Sequence, residues 1–292
     1  MEGQQSIGIK HVLTLVFLSL IWGTSFILIK KGLVAYNPVQ LASLRVSIAG
    51  LGFTPVFLYH LKSIKTENIW KYIVVGITGN VVPVIFFALA QTRISSSVAG
   101  IANSMTPIFT ILIGVLFYQM VVKKTQIIGV FLGFIGVLAL ILFGKDNASS
   151  NNMWYAGFII GSCVLYAINL NFVKKHFQTE NSLKLTAVSF FFMTIPLSVY
   201  ILSSDIPNIV QTEEGLQAFY YIALLSFMST MLALIVFYRI VQQTNAVFAS
   251  SVSYLVPIVA MIWGFVDGEY LGFGHFLSLG LILVGVYMIR ED

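Results

Sequence analysis

Charge is what this chain lacks most. Charged residues make up 9% of its 292 positions, against about 25% in a soluble domain, so a large water-facing domain has no place in it. Long polar stretches are missing too. The interruptions near residues 61–69, 144–152, 174–183 and 204–215 are too brief for an additional folded unit. The single cysteine, Cys163, lies in an apolar run, has no partner for an internal disulfide and reads as a small buried apolar residue. No H-E-x-x-H, no G-x-S-x-G and no pair of carboxylates within an apolar run is present. The four histidines, His11, His60, His176 and His275, are too dispersed for an inferred metal site. No enzyme chemistry, metal or cofactor is expected.

What the chain has is apolar sequence. Hydrophobic residues make up 58% of it, gathered into ten stretches near residues 12–31, 39–60, 70–90, 95–118, 125–143, 153–173, 184–203, 216–240, 246–266 and 272–289. A helix needs roughly 20 apolar residues to cross the ~30 Å hydrocarbon core, and only helices and closed barrels satisfy their backbone there. Runs such as ILIGVLF and VFLGFIGVLALILF are continuously apolar rather than alternating, which argues against barrel strands. The fold class expected is an all-α polytopic membrane protein with ten transmembrane helices. The first stretch is longer than a signal-peptide core and runs into Lys30-Lys31 without a small-residue cleavage site, so it is expected in the mature protein.

The net charge of +5 reports orientation rather than affinity for nucleic acid, since Lys and Arg favour the cytoplasmic side of a membrane protein. With the amino terminus inside, eleven basic residues fall on inner segments: Lys10, Lys62, Lys65, Lys71, Lys123, Lys124, Lys174, Lys175, Lys184, Arg239 and Arg290. Four fall outside, Lys30, Lys31, Arg93 and Lys145, and Arg45 stays within a span. Both termini are therefore expected in the cytoplasm.

The loop 144–152, GKDNASSNN, divides the chain into residues 1–143 and 153–292, five spans each. A shift of 150 residues lays Ala99 on Ala249, Pro107 on Pro257, Gly114 on Gly264, Asn80 on Thr230 and Phe87 on Phe237. A shift of 144 lays Trp22 on Tyr166, Ser25 on Asn169 and Lys30-Lys31 on Lys174-Lys175. Landmarks repeated in one order argue for duplication. Five crossings return the chain to the opposite side, so the second half enters upside down: two inverted five-helix repeats, a recurrent design of secondary transporters.

IWGTSFILIKKGL (Ile21 to Leu33), PVQLASLRVSIAGL (Pro38 to Leu51), FALAQTRISSSVAGIANSMTPIFTILIGVLF and FYRIVQQTNAVFASSVSYLVPIVAMIWGFVDGEYLG resemble the drug/metabolite transporter superfamily, in its EamA-type ten-helix branch, over roughly residues 12–289. The chain departs from that pattern where the second half has Glu269 and the first has Gln119. The resemblance implies efflux or exchange of small metabolites, amino acids or drugs. Small relatives in that superfamily couple to protons through a first-helix carboxylate; here that helix has none, and Asp267 and Glu269 are the acidic groups nearest a span.

The candidate substrate-binding residues are polar or aromatic groups placed inside apolar runs. Asn80, Asn103, Asn169 and Asn171 must face the interior or a wet cavity, because an unpaired polar group in hydrocarbon costs several kcal/mol. Ser25 follows Trp22, and Asn169 follows Tyr166, by three residues, which stacks ring and polar group on one helical face. Thr230, Tyr238, Ser253 and Tyr254 complete the set, with Trp263 beside them; helix–helix contacts and interfacial aromatic belts are the competing readings. Arg45 is read as an attractor of a carboxylate-bearing solute or, alternatively, as a structural arginine snorkelling to helix-end carbonyls. Pro107 and Pro257, each preceded by small polar residues, are candidate hinges or static kinks. Gly129, Gly133 and Gly136 face a looser set, Ser278, Gly280 and Gly285, for packing the fifth span on the tenth. The expected function is a secondary transporter exporting or exchanging small organic solutes by alternating access, in the lipid bilayer of a bacterial inner membrane and working as a monomer. A channel, a receptor or a membrane-embedded enzyme is the alternative.

Overall fold

A computed structural model describes residues 8–94, 96–143, 154–266 and 273–290. The loop 144–152, Ser95, Asp267 and Glu269 lie outside the described residues. The first half forms α1 (Ile9–Gly32), α2 (Pro38–His60), α3 (Ile69–Gly76), α4 (Val82–Gln91), α5 (Ser96–Asn103), α6 (Thr106–Tyr118) and α7 (Lys124–Phe143). The second forms α8 (Ala156–His176), α9 (Ser182–Ser203), the single turn α10 (Ile206–Ile209), α11 (Glu213–Leu225), α12 (Ala233–Gln243), α13 (Ala246–Ser250), α14 (Val252–Val266) and α15 (Phe273–Arg290). Wider π-helical turns at Ile77–Val81 and Ser226–Leu232 join α3 to α4 and α11 to α12. Among the described residues six helical rods are long and apolar enough to cross a membrane: Ile9–Gly32, Pro38–Ser63, Thr66–Gln91, Ala156–His176, Ser182–Ser203 and Glu213–Gln243. At 1.5 Å per residue, α1 alone is about 36 Å long.

Local chemistry accounts for several helix starts. Asn37 Oδ1 accepts from the Val39 and Gln40 amides, and Gln40 Oε1 accepts from the Asn37 amide in return. This reciprocal cap satisfies donors that the first turn of α2 leaves unpaired. Asn181 accepts from the Leu183 and Lys184 amides at the start of α9 in the same way.

The stretches 95–118 and 246–266, each expected as one helix, are both broken. α5 ends at Asn103 and α6 begins at Thr106; α13 ends at Ser250 and α14 begins at Val252. Hydroxyls take over the carbonyls at the breaks: Thr106 Oγ1 donates to Asn103 O, Ser250 Oγ to Val247 O and Ser251 Oγ to Phe248 O. Pro107 is the second residue of α6, where its missing N–H is not needed, so it starts a helix rather than kinking one. Pro257, its sequence counterpart, lies inside α14.

The helices pair across the two halves. α2 and α9 run antiparallel: Phe57 stacks on Phe191 at 3.6 Å between ring centroids, Phe53 meets Phe190, and Ser198 Oγ donates to Ser47 Oγ. α7 lies along α15 with almost no side chain between them, because a Cβ on Gly285 would stand 2.5 Å from Gly133 N. That contact is the small-residue packing expected of the fifth and tenth stretches. α1 packs against α11 and α14, and α8 packs against α4 and α6. Large apolar side chains cover the outside, among them Phe117, Phe131, Leu202, Phe227 and Leu283. A surface this apolar is stable against lipid rather than water.

Candidate functional site

At the centre of the bundle is a cavity of about 110 Å³. Of the eleven side chains expected at the site, Trp22, Ser25, Arg45, Asn80, Asn103, Tyr166, Asn169, Thr230, Tyr238 and Ser253 line it. They come from α1, α2, the two π turns, α5, α8, α12 and α14. Each π turn places small and polar residues in the wall, Gly79 and Asn80 on one side and Ser229 and Thr230 on the other. A π turn widens the helix and frees a carbonyl from the regular ladder. Trp22 Nε1 uses one of these, donating to Ser229 O at 3.0 Å across 207 residues of sequence. In the other half Asn169 Nδ2 donates to Val75 O and Thr78 Oγ1, both at 3.1 Å. Trp22 and Asn169 thus each tie the first helix of one half to the π-bearing rod of the other.

Gly79 is required at this point by close approach. A Cβ there would stand 2.6 Å from Asn169 Nδ2 and 2.8 Å from the Tyr238 hydroxyl. That hydroxyl lies among the amides of Asn80 and Asn169, yet neither it nor Asn80 Nδ2 completes a hydrogen bond of good geometry among the described residues. Arg45 reaches inward from α2, and its Nε donates to Thr230 Oγ1 at 2.8 Å. The alternative of snorkelling to helix-end carbonyls is not what the side chain does. Asn103 is held by its neighbour: Thr106 Oγ1 donates to its carbonyl at 2.7 Å and lies 3.4 Å from its side-chain oxygen.

Tyr254 does not line the cavity. Its hydroxyl donates to Val130 O at 2.7 Å, and its ring is the nearest neighbour of Gly133, so it fastens α14 to α7. Asn171 also belongs to the frame, donating to Thr110 O and Ala167 O. Trp263 Nε1 donates to Thr24 Oγ1 near the outer surface. Cys163 is buried. Among the described residues no group of His, Cys, Asp and Glu is arranged to hold a metal ion.

The sequence reading missed part of the wall: Phe26, Phe87, Phe237, Ser229 and Gly79 line the cavity as well. Phe87 and Phe237 carried a signal, since they match across the repeat, but apolar rings in apolar helices do not announce themselves as a site. Phe237 meets Trp22 edge to face at 4.8 Å and 78°, a preferred geometry for aromatic pairs.

Comparison with known proteins adds four findings. The model of the EamA-like transporter family matches residues 9–142 and, a second time, residues 153–290. An uncharacterized transporter of Archaeoglobus fulgidus is 27% identical over 270 residues, 92% of this chain and 94% of that protein. An S-adenosylmethionine/S-adenosylhomocysteine transporter of Chlamydia trachomatis serovar L2 is 22% identical over 289 residues, 95% of this chain and 88% of that protein. Among solved structures, one crystal structure superposes with a TM-score of 0.72 over 96% of both chains at 14% identity, a likeness of fold.

Proposed function

The chain belongs to the EamA-like transporter family, and from that premise we propose that it is a secondary transporter that exports or exchanges small organic solutes by alternating access. Residues 1–143 and 153–292 form two inverted repeats of five spans, joined by 144–152. The protein works as a monomer in a bacterial inner membrane with both termini in the cytoplasm.

The observation that carries this reading is the way the cavity is built. Its wall takes residues from both halves, and its polar groups sit inside otherwise apolar rods. The crossed pairing of α1 with α11 and α14, and of α8 with α4 and α6, supports the repeat. Taken rod by rod, α1 packs on Glu213–Gln243 as α8 packs on Thr66–Gln91, and α1 meets α14 as α8 meets α6. A site at such an interface is where rocking of one repeat against the other changes exposure. Ten of the side chains chosen as substrate contacts stand on this wall, which supports their role in binding.

Counterflow in proteoliposomes tests the proposal. The named Chlamydia relative makes S-adenosylmethionine and S-adenosylhomocysteine the first solutes to try, followed by an amino-acid panel. Preloading with unlabelled solute should accelerate uptake of the labelled form, because a carrier returns faster when loaded. Uptake insensitive to preloading would mean an open pore and end the alternating-access reading.

A further inference from the structure

The charge of the cavity, given the transporter reading above on which this step rests, restricts what it takes. Arg45 bonds to Thr230, near the middle of the Glu213–Gln243 rod, so its guanidinium is level with the interior of the bundle and not with either end. Among the described residues no Asp or Glu lines the cavity. The ion pair formed among the described residues, Lys184 with Glu180, stands at one end of the bundle. A guanidinium has five N–H donors, and Nε is the donor that Thr230 engages. Arg45 lines the cavity, and among the described residues no hydrogen bond and no carboxylate engages its terminal nitrogens. A cation at such depth is costly unless something of opposite charge or water joins it.

Two further polar groups of the wall are buried without a hydrogen bond of good geometry among the described residues. Asn80 and Tyr238 are 2% and 1% exposed, and among the described residues Asn80 Nδ2 and the Tyr238 hydroxyl complete no hydrogen bond of good geometry. Both are donors. Around them stand the rings of Trp22, Phe26, Phe87, Tyr166 and Phe237.

We propose that the solute carried here bears a carboxylate on a flat, apolar body. The carboxylate takes the terminal fork of Arg45, and the body lies among the rings. Arginine and carboxylate fit as a planar, two-bond pair, and the two oxygens offer enough lone pairs for Asn80 or Tyr238 to join. A cation of the same shape would meet Arg45 with no opposite charge among the described residues of the wall.

The test uses the purified full-length protein and three probes with one ring: phenylacetate, its amide phenylacetamide, and the cation phenethylamine. The readout is the saturable rise in melting temperature with probe concentration. Phenylacetate should stabilise at about a tenth of the concentration that the amide needs, a factor that one charged contact readily supplies. Phenethylamine should do no better than the amide. Arg45→Gln should remove the preference for phenylacetate over the amide; Arg45→Lys, which keeps the charge and loses the fork, should retain part of it and serves if the first variant does not fold. Absence of stabilisation by phenylacetate, a phenethylamine effect equal to or above it, or an unchanged preference in the variants would overturn the proposal. Because binding is read without transport, a failed counterflow experiment sinks the carrier and leaves this result to stand or fall by itself.

Discussion

At one end of the bundle Lys174 is partly buried and its Nζ donates to the carbonyls of Gln242 and Thr244, while Gln242 Nε2 donates to those of Phe177 and Glu180. Tyr72 donates to Glu180, and Lys184 pairs with Glu180 and reaches Ser63 O. At the other end Lys30 and Lys31, the sequence counterparts of Lys174 and Lys175, are exposed. Thr92, which the repeat lays on Gln242, is exposed and turns its hydroxyl back to Leu89 O in its own helix. Equal landmarks therefore have unequal surroundings. A long amide bridges two chain segments at one end, and a short hydroxyl at the other cannot. The caps and end contacts are otherwise alike: Asn37 and Asn181 begin α2 and α9, Tyr36 donates to Gly215 O, and Gln40 Nε2 donates to Asp205. The difference teaches that both ends are tied across the halves, and that the Glu180 end adds the carbonyl contacts of Lys174 and Gln242, which the Lys30 and Thr92 end lacks. At about 1 kcal/mol net each, such bonds are weak enough to be released by the alternating access proposed above.

The most decisive way to break this comparison is to show that the two ends do not face opposite sides of a membrane. Tags within residues 145–150 and at the carboxyl terminus should report opposite faces in intact cells, an all-or-none outcome. Tags on one face would undo both the inverted repeat and the meaning of the two ends. A smaller effect sharpens it. In a Cys163→Ala background carrying Ser253→Cys as a reporter on the cavity wall, adding Lys174→Met with Gln242→Leu removes the fastening. Maleimide labelling from the Glu180 end should quicken by about tenfold or more, since several bonds of about 1 kcal/mol are lost together. An unchanged rate would mean that other contacts close that end. The smallest effect separates frame from cavity. Tyr254→Phe loses one hydrogen bond to Val130 and should lower stability by about 1 kcal/mol, read as a lower melting temperature, with transport per folded molecule unchanged. Loss of transport at unaltered stability would return Tyr254 to the site.

Much of this was legible because membrane sequences are strongly constrained. Trp22 with Ser25, and Tyr166 with Asn169, met at the cavity because three-residue spacing on a helix fixes a shared face. Arg45 and Asn80 were conspicuous since polar groups are rare in such runs. Tyr254 stands off the cavity for a physical reason: a tyrosine has one polar atom, and sequence does not say whether that atom turns to a cavity or, as here, to a carbonyl on α7. The prolines were half legible. Their positions match, but Pro107 begins a helix and Pro257 lies within one, because the neighbouring hydroxyls break the chain at different distances from each. The π turns gave no signal beyond the pairing of Asn80 with Thr230.

By itself the sequence determined that the chain is helical, apolar on its outside and suited to a bilayer. It did so because each helix satisfies its own backbone within a stretch of about 20 neighbouring residues. Only the tertiary structure decided which polar groups confront one another: Trp22 and Ser229, Arg45 and Thr230, Lys174 and Gln242. These partners lie 207, 185 and 68 residues apart. Their meeting depends on how whole helices cross, on the absent side chains of Gly79 and Gly285, and on wide turns that no local pattern announces.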